Sequence, residues 1–405
     1  MIKANPDRVL RDLYMLREIG RYKTGVHRPT LSDEDIKTRH WLKDELSAIG
    51  HDTHIDGIAN VIGYTKAPGR KMLCGSHLES QNHAGWLDGA LGVVYALEAA
   101  RAVVESGETE TGVDVIAFAD EEGHFGSMIG SNSLVGNMTE DMMDASRQRT
   151  TGEPLRDALS RAGFTGPRTS LEPARYVGML EAHIEQGDSL EATGLKIGVV
   201  TSIVGIWQFK LSFRGIQNHA GTTRMAIRKD AGAAMMRVYQ RLMERFPEEV
   251  AERTVWTVGS MTLDPGAPSI VPGGADMTFQ FRDADPELLK KLEGVMREVV
   301  AEEQANGPCE VSVEVQTRGV PAHMDPGLQD AIDAAAEAFA PGKHVRMPSG
   351  AGHDAQVIAQ KMPASMLFIP SIGGISHHWT EDTSDEDIAL GAEVYVDAVA
   401  RMLKG

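Results

Sequence analysis

The sequence predicts an α/β domain interrupted by a smaller, inserted α+β domain. Three observations carry this reading. Between Lys71 and Ile203, short continuous apolar runs alternate with helical patterns and polar turns, as expected for buried strands of a parallel sheet. From Ile206 to about residue 317 the pattern changes to strict alternation of apolar and polar residues, the mark of half-exposed strands. Buried patterns then resume, and 405 residues exceed what one hydrophobic core usually organises. The expected domains are 1–205 with 318–405, and 206–317.

Taken in order, Asp7 to about Gly20 and Ser32 to about Gly50 read as helices, the second opened by Ser32-Asp33-Glu34-Asp35. IDGIANVIGY and RKMLCGSHLE read as strands, the latter ending at His77, and the segment after Asp88 reads as a helix to about Ser106. VDVIAFAD, residues 113–120, is a buried strand that runs into Glu121-Glu122-Gly123. Residues 138–173 are charged and turn-rich and carry no readable chemistry. YVGMLEAHIEQG, with His183, and LKIGVVTSI are further strands. In the insertion, Trp207, Phe209, Leu211 and Phe213 alternate with Gln208, Lys210, Ser212 and Arg214. A helix from about Ala226 to Phe246, the strands TVWTVGSMTL and ADMTFQFRD, a helix from Pro286 to about Gln304 and the strand CEVSVEV complete it. The order β-α-β-β-α-β is the split βαβ arrangement of ferredoxin-like domains. DPGLQDAIDAAAEAF, ASMLFIPS and a helix near Asp387 to Leu403 close the chain.

Composition narrows the function. A formal charge of −18 argues against nucleic acid or an anionic membrane as partner, because both require a basic face. Two cysteines, Cys74 and Cys309, exclude a disulfide framework and point to a reducing compartment. The amphipathic N-terminus lacks an apolar signal core and no run approaches membrane-spanning length, so residence in the cytoplasm is expected.

The chemistry lies at strand ends. A single histidine there is ordinarily a satisfied polar group, Asp88 alone reads as a helix N-cap, and Glu121-Glu122 alone as a solvated loop. Together, however, His77, Asp88, Glu121, Glu122, His183 and His377 fall on one edge of one sheet, where ligands of open α/β sheets gather. Imidazole and carboxylate without thiolate suit zinc, manganese or cobalt, and the number of donors suits two ions sharing a carboxylate. Paired ions roughly 3.5–4 Å apart can activate a water and polarise a carbonyl, while one of the two adjacent glutamates serves as general base.

GSHLES with DGALGV, DEEG, EAHIEQG, NHAGTTRMAIRKDA, SGAGHDA and GGISHHWTED, in this order, resemble the M20-type metallohydrolases, nearest the branch of N-carbamoyl-L-amino acid hydrolases and allantoate amidohydrolases. The resemblance implies a zinc-exopeptidase-like catalytic domain with an inserted lid that also forms a homodimer interface. It implies that His77, Asp88 and His183 bind one metal and that Asp88, Glu122 and His377 bind the other, with Glu121 as general base. His183 matches the carbamoylase branch, whose substrates carry ureido nitrogen. His219, beside Asn218, resembles a lid histidine that steadies the reacting carbonyl from the partner subunit. Arg282 resembles the arginine that clamps a substrate carboxylate, and Gln186, Ser269 and His353 fall at substrate-binding positions.

The implied activity is hydrolysis of the C–N bond of an N-carbamoyl or related N-acyl amino acid. An amino-acid-conjugate amidase or dipeptidase is the alternative, and a non-catalytic metal-binding dimer is opposed by retention of Glu121. Several positions depart from the family pattern. Glu79 replaces an aspartate and lengthens by one methylene the carboxylate expected to orient His77. Ser269 replaces an asparagine and Arg224 a proline, an arginine is missing near His124-Phe125, and His83 and Trp86 occupy a loop that usually carries Pro-Gly-Gly and a basic residue.

Overall fold

The structure, a computed structural model, describes residues 2–404. The chain forms two compact units, one running to Ser202 and resuming at His323, the other spanning Ile203–Ala322.

In the first unit the strands Ala364–Ile369, Tyr176–Ile184, Lys71–His77 and Gly112–Phe118 lie side by side and parallel. Every residue of Lys71–His77 and Gly112–Phe118 is buried, which is why these strands read as continuous apolar runs. The helix Ala90–Glu105 packs on them and is itself buried almost throughout, with Val93, Leu97 and Val103 in one core with Val115, Leu180, Ile369, Tyr395 and Val399. The helices Pro6–Glu18 and Asp385–Lys404 cover this helix in turn.

The sheet is mixed rather than wholly parallel. Ile197–Ile203 and Val61–Tyr64 flank the parallel strands in antiparallel sense. IDGIANVIGY is also not one strand. Asp52–Ile55 and Val61–Tyr64 pair antiparallel, and the turn between them is closed by Asp56, whose Oδ1 accepts the N–H groups of Ile58 and Asn60. Residues 138–173 contain the short helices Glu140–Ala145 and Leu155–Ala162, which bury Met143, Leu155 and Leu159 against Ile58, Phe125 and Ile129. His344–Ser349 forms a strand whose mixed composition concealed it.

The second unit is an antiparallel sheet in the order Val255–Asp264, Gly274–Asp283, Gly205–Arg214, Glu310–Arg318, with helices Ala231–Arg245 and Pro286–Asn306. The inward residues Trp207, Phe209, Leu211, Phe213, Met277, Phe279 and Phe281 share a core with Met235, Leu242, Leu292 and Met296. The first helix begins at Ala231, later than the periodicity suggests. Asp230 caps it by accepting the Ala233 N–H, and Met225–Ile227 forms a separate 3-10 turn. Among the described residues no helix is long and apolar enough to cross a membrane.

Candidate metal centre

The strand registers level the carboxyl edge of the first unit's sheet. His77 stands opposite Phe118 and His183 opposite Phe368, so the carboxyl ends of four strands and the loops after them meet at one height. Glu121 and Glu122 follow the strand Gly112–Phe118, and His377 follows Ala364–Ile369. Asp88 is not the cap of the helix after it. Gly89 takes that position with φ +68° and no side-chain cap bond, which frees the Asp88 carboxylate. Gly89 is required there, since a Cβ would lie 2.3 Å from the His77 ring and the left-handed backbone disfavours any other residue.

The buried Asp88 carboxylate is shared between two groups. Its Oδ1 lies 3.1 Å from His183 Nε2 and 3.4 Å from His77 Nε2, and its Oδ2 lies 3.5 Å from His377 Nε2, which is 3.7 Å from Glu122 Oε2. In each of the trios His77–Asp88–His183 and Asp88–Glu122–His377, one ligand atom per residue falls within 4.8 Å of the others. The tautomers suit a cation. His77 Nδ1 donates to the Glu79 carbonyl at 3.0 Å and His183 Nδ1 to the Ile184 carbonyl at 2.9 Å, so in the neutral rings both Nε2 atoms turn a lone pair to the Asp88 side, that of His183 also accepting the Gly89 N–H at 3.2 Å. Lone pairs converging on a carboxylate repel unless a positive charge lies between them. Three imidazoles and two carboxylates thus form a donor set that fits two divalent ions.

The charges around this set are fixed from behind. Burial opposes ionisation of Asp88, but His183 and His77 in their protonated form outweigh it and hold the carboxyl well below its usual range, the part a cation would take beside neutral rings. Gln186 Nε2 donates to Asp88 Oδ2 at 3.0 Å, and the Asp88 N–H donates to the buried Glu381 at 3.2 Å. Glu121 Oε2 lies 3.7 Å from His77 Nε2. Burial drives the Glu121 carboxyl well above its ordinary range, with Glu122, Asp354 and Asp88 adding to the rise and His77 opposing it. The expected contact from the Glu79 carboxylate to His77 is instead a separation of 4.0 Å. The extra methylene carries that carboxylate to the Glu121 N–H at 2.7 Å and to Arg39 at 2.7 Å, and the Glu79 main-chain carbonyl orients His77 in its place. Arg39 is fully buried, pairs also with Asp35 at 2.9 Å, and donates to the carbonyls of Ala59 and Phe118.

The structure brings His77, Asp88, Glu121, Glu122, His183 and His377 together, with Gln186 on Asp88. His353 is buried edge-on to the His183 ring, 4.7 Å between centroids, with Nε2 on Ser349. Asn218, His219, Ser269 and Arg282 lie in the second unit. There the Ala220 N–H bonds the Ser269 carbonyl, and His219 Nδ1 accepts the N–H groups of Gly221 and Thr222, leaving Nε2–H as an exposed donor. Trp86 is not a pocket residue. It is 1% exposed, stacks on Tyr14 with centroids 5.2 Å apart, and lies under Arg17. Sequence reasoning missed Arg39, Glu381, Gln81 and Arg149. Only Arg39 left a signal, as a cation four residues after Asp35 on one helix face.

The sequence profile of peptidase family M20/M25/M40 matches residues 72–401. The chain belongs to that family. This M20 chain is 34% identical to the N-carbamoyl-L-amino-acid amidohydrolase of Paenarthrobacter aurescens, over 99% of this chain and 98% of the relative. It is 32% identical to the allantoate amidohydrolase of Bacillus subtilis (strain 168), over 93% of each. A crystal structure of an amidase of the hydantoinase/carbamoylase family from Burkholderia phymatum matches it with a TM-score of 0.90 and 45% identity, covering 100% of this chain and 99% of that one. This M20 chain is accordingly an amidohydrolase acting on C–N bonds of linear amides, and its histidine–carboxylate cluster could hold metal.

Proposed function

We propose that the chain hydrolyses the terminal ureido group of an N-carbamoyl amino acid, releasing the amino acid, carbon dioxide and ammonia. The observation that carries this reading is the division of one carboxylate, Asp88, between two histidine-containing trios beside a second, basic carboxylate, Glu121. His77, Asp88 and His183 would hold one divalent ion and Asp88, Glu122 and His377 another, with zinc, manganese or cobalt suited to such donors. Bound there, the ions supply Lewis acidity that lowers the pKa of water and polarises a carbonyl.

The chain's own groups do the rest. Glu121, pushed up by burial, takes the proton of the attacking water and delivers it to the departing nitrogen. The His219 Nε2–H is a donor for the developing oxyanion, reaching it from the partner subunit of a homodimer built through the inserted unit. Arg282 pairs with the substrate α-carboxylate, Asn218 and Ser269 are further substrate contacts of the second unit, and Gln186 and His353 are those of the first. Two free, buried thiols support residence in the reducing cytoplasm.

Glu121→Gln tests the assignment. Elemental analysis should find metal content unchanged while turnover falls about 10²–10⁴-fold, and retained turnover removes Glu121 as the base. Across a panel of N-carbamoyl, N-acetyl and aromatic-acyl amino acids, ammonia should appear in step with the amino acid for the carbamoyl series. A preference for acetyl or aromatic-acyl substrates overturns the substrate class.

A further inference from the structure

The two trios are not equally supported. His77 and His183 are buried, and each ring is locked by a hydrogen bond from Nδ1 to a main-chain carbonyl. His377 has a side chain 52% exposed and, among the described residues, makes no such main-chain bond, its ring pairing with Asp88 and Glu122. Whatever rigidity the second trio has must come from its carboxylates.

Among the described residues, Gln81 supplies the hydrogen bonds to the Glu122 carboxylate. The Gln81 main-chain N–H donates to Glu122 Oε1 at 3.0 Å, and Gln81 Nε2 donates to Glu122 Oε2 at 2.9 Å and to the Glu122 carbonyl at 2.8 Å. Side chain and backbone of Glu122 are therefore fixed together. A carboxylate has about four lone-pair sites, so two donors leave each oxygen one free to face a cation.

Gln81 is held in turn. Arg149 donates to Gln81 Oε1, and the same guanidinium reaches the carbonyls of Glu122 at 3.3 Å and Gly123 at 3.5 Å. Its own N–H bonds the His124 carbonyl at 2.7 Å, docking the turn between Arg147 and Pro154 on this loop. Because arginine can only donate and a carboxylate only accept, Arg149 forces the amide of Gln81 to point its NH₂ at Glu122. Arg149 thus reaches this loop from a separate segment further along the chain.

We propose that Gln81, braced by Arg149, is the positioning residue that presets Glu122 for the ion held by Asp88, Glu122 and His377, and leaves the ion held by His77, Asp88 and His183 unaffected. This inference rests on the two-ion reading above. Partners of this kind, standing behind a metal ligand, typically change affinity about 10–100-fold when removed.

The test is calorimetric titration of the chelator-stripped, full-length protein with Mn²⁺. His377→Ala and His183→Ala assign the two binding steps of the wild type. Gln81→Met, which keeps volume and removes the amide, should weaken the His377-assigned step about 10–100-fold and leave the other within about twofold. Arg149→Met should weaken the same step less, and Arg149→Lys should restore most of the loss. Since Arg149 is exposed, its variants decide the matter if Gln81→Met does not fold. Equal weakening of both steps, or of neither, overturns the positioning role. A wild-type trace without binding removes the two-ion reading instead.

Discussion

The two units treat charge in opposite ways. On the open face of the second unit's sheet, Asp276 meets Arg214 at 3.0 Å and Lys210 at 3.6 Å, with all three side chains about a third or more exposed. Such pairs contribute roughly 0–1 kcal/mol, because water screens them and each partner survives without the other. In the first unit Arg39 meets Glu79 at 2.7 Å and Asp35 at 2.9 Å with no exposure at all. The distances are alike, yet removing one partner there leaves an uncompensated buried charge. A sheet covered on both faces makes an unmatched charge at its edge costly, and the pairs formed there can keep acids and imidazoles poised for chemistry. A sheet covered on one face offers donors to a substrate without needing to balance them.

The contrast can be broken by paired substitutions. Arg39→Met should cost about 3–5 kcal/mol in urea unfolding and loosen the Glu121 backbone, whereas Lys210→Met should stay within about 0.5 kcal/mol. A cost near 1 kcal/mol for Arg39→Met would mean that water reaches the pair. Arg282→Ala should raise KM about 10–100-fold, the worth of a charge-assisted bidentate pair, with kcat little changed. The effect should vanish for substrates whose α-carboxylate is amidated, and an unchanged KM takes Arg282 out of the pocket. The smallest difference concerns the thiols. Burial pushes Cys74 up to about 12, while Cys309 in the second unit is raised by burial but opposed by Arg237. A raised pKa means less thiolate at pH 8, so iodoacetamide should label Cys309 faster than Cys74 in the native protein. Equal rates would place the two thiols in equivalent surroundings.

What the sequence made legible follows the same division. The alternation from Trp207 to Phe213 exposes the second unit's sheet because one face must be apolar and the other wet. His77, Asp88, Glu122, His183 and His377 were readable as a set because each ends a buried run or opens a helix, and strand ends are level in a parallel sheet. Asp56 was not readable as the turn that splits IDGIANVIGY, since its bonds to Ile58 and Asn60 leave the apolar run intact. Arg39 shows in the sequence only as a cation spaced to meet Asp35 on its own helix, and its second partner, Glu79, forty positions away, is not readable there. Arg149 lies in a stretch without periodicity, and its destination is set by the turn that carries it.

The glycine beside Asp88 has a consequence for how this enzyme can vary over time. Position 89 is closed to inheritance of any side chain, because even one methyl group would press on an imidazole of the centre. Lineages descending from this chain can diversify around Ser269 or His83, but a change at that single codon is a dead end. Mutational scanning should find it as intolerant as the acid that precedes it.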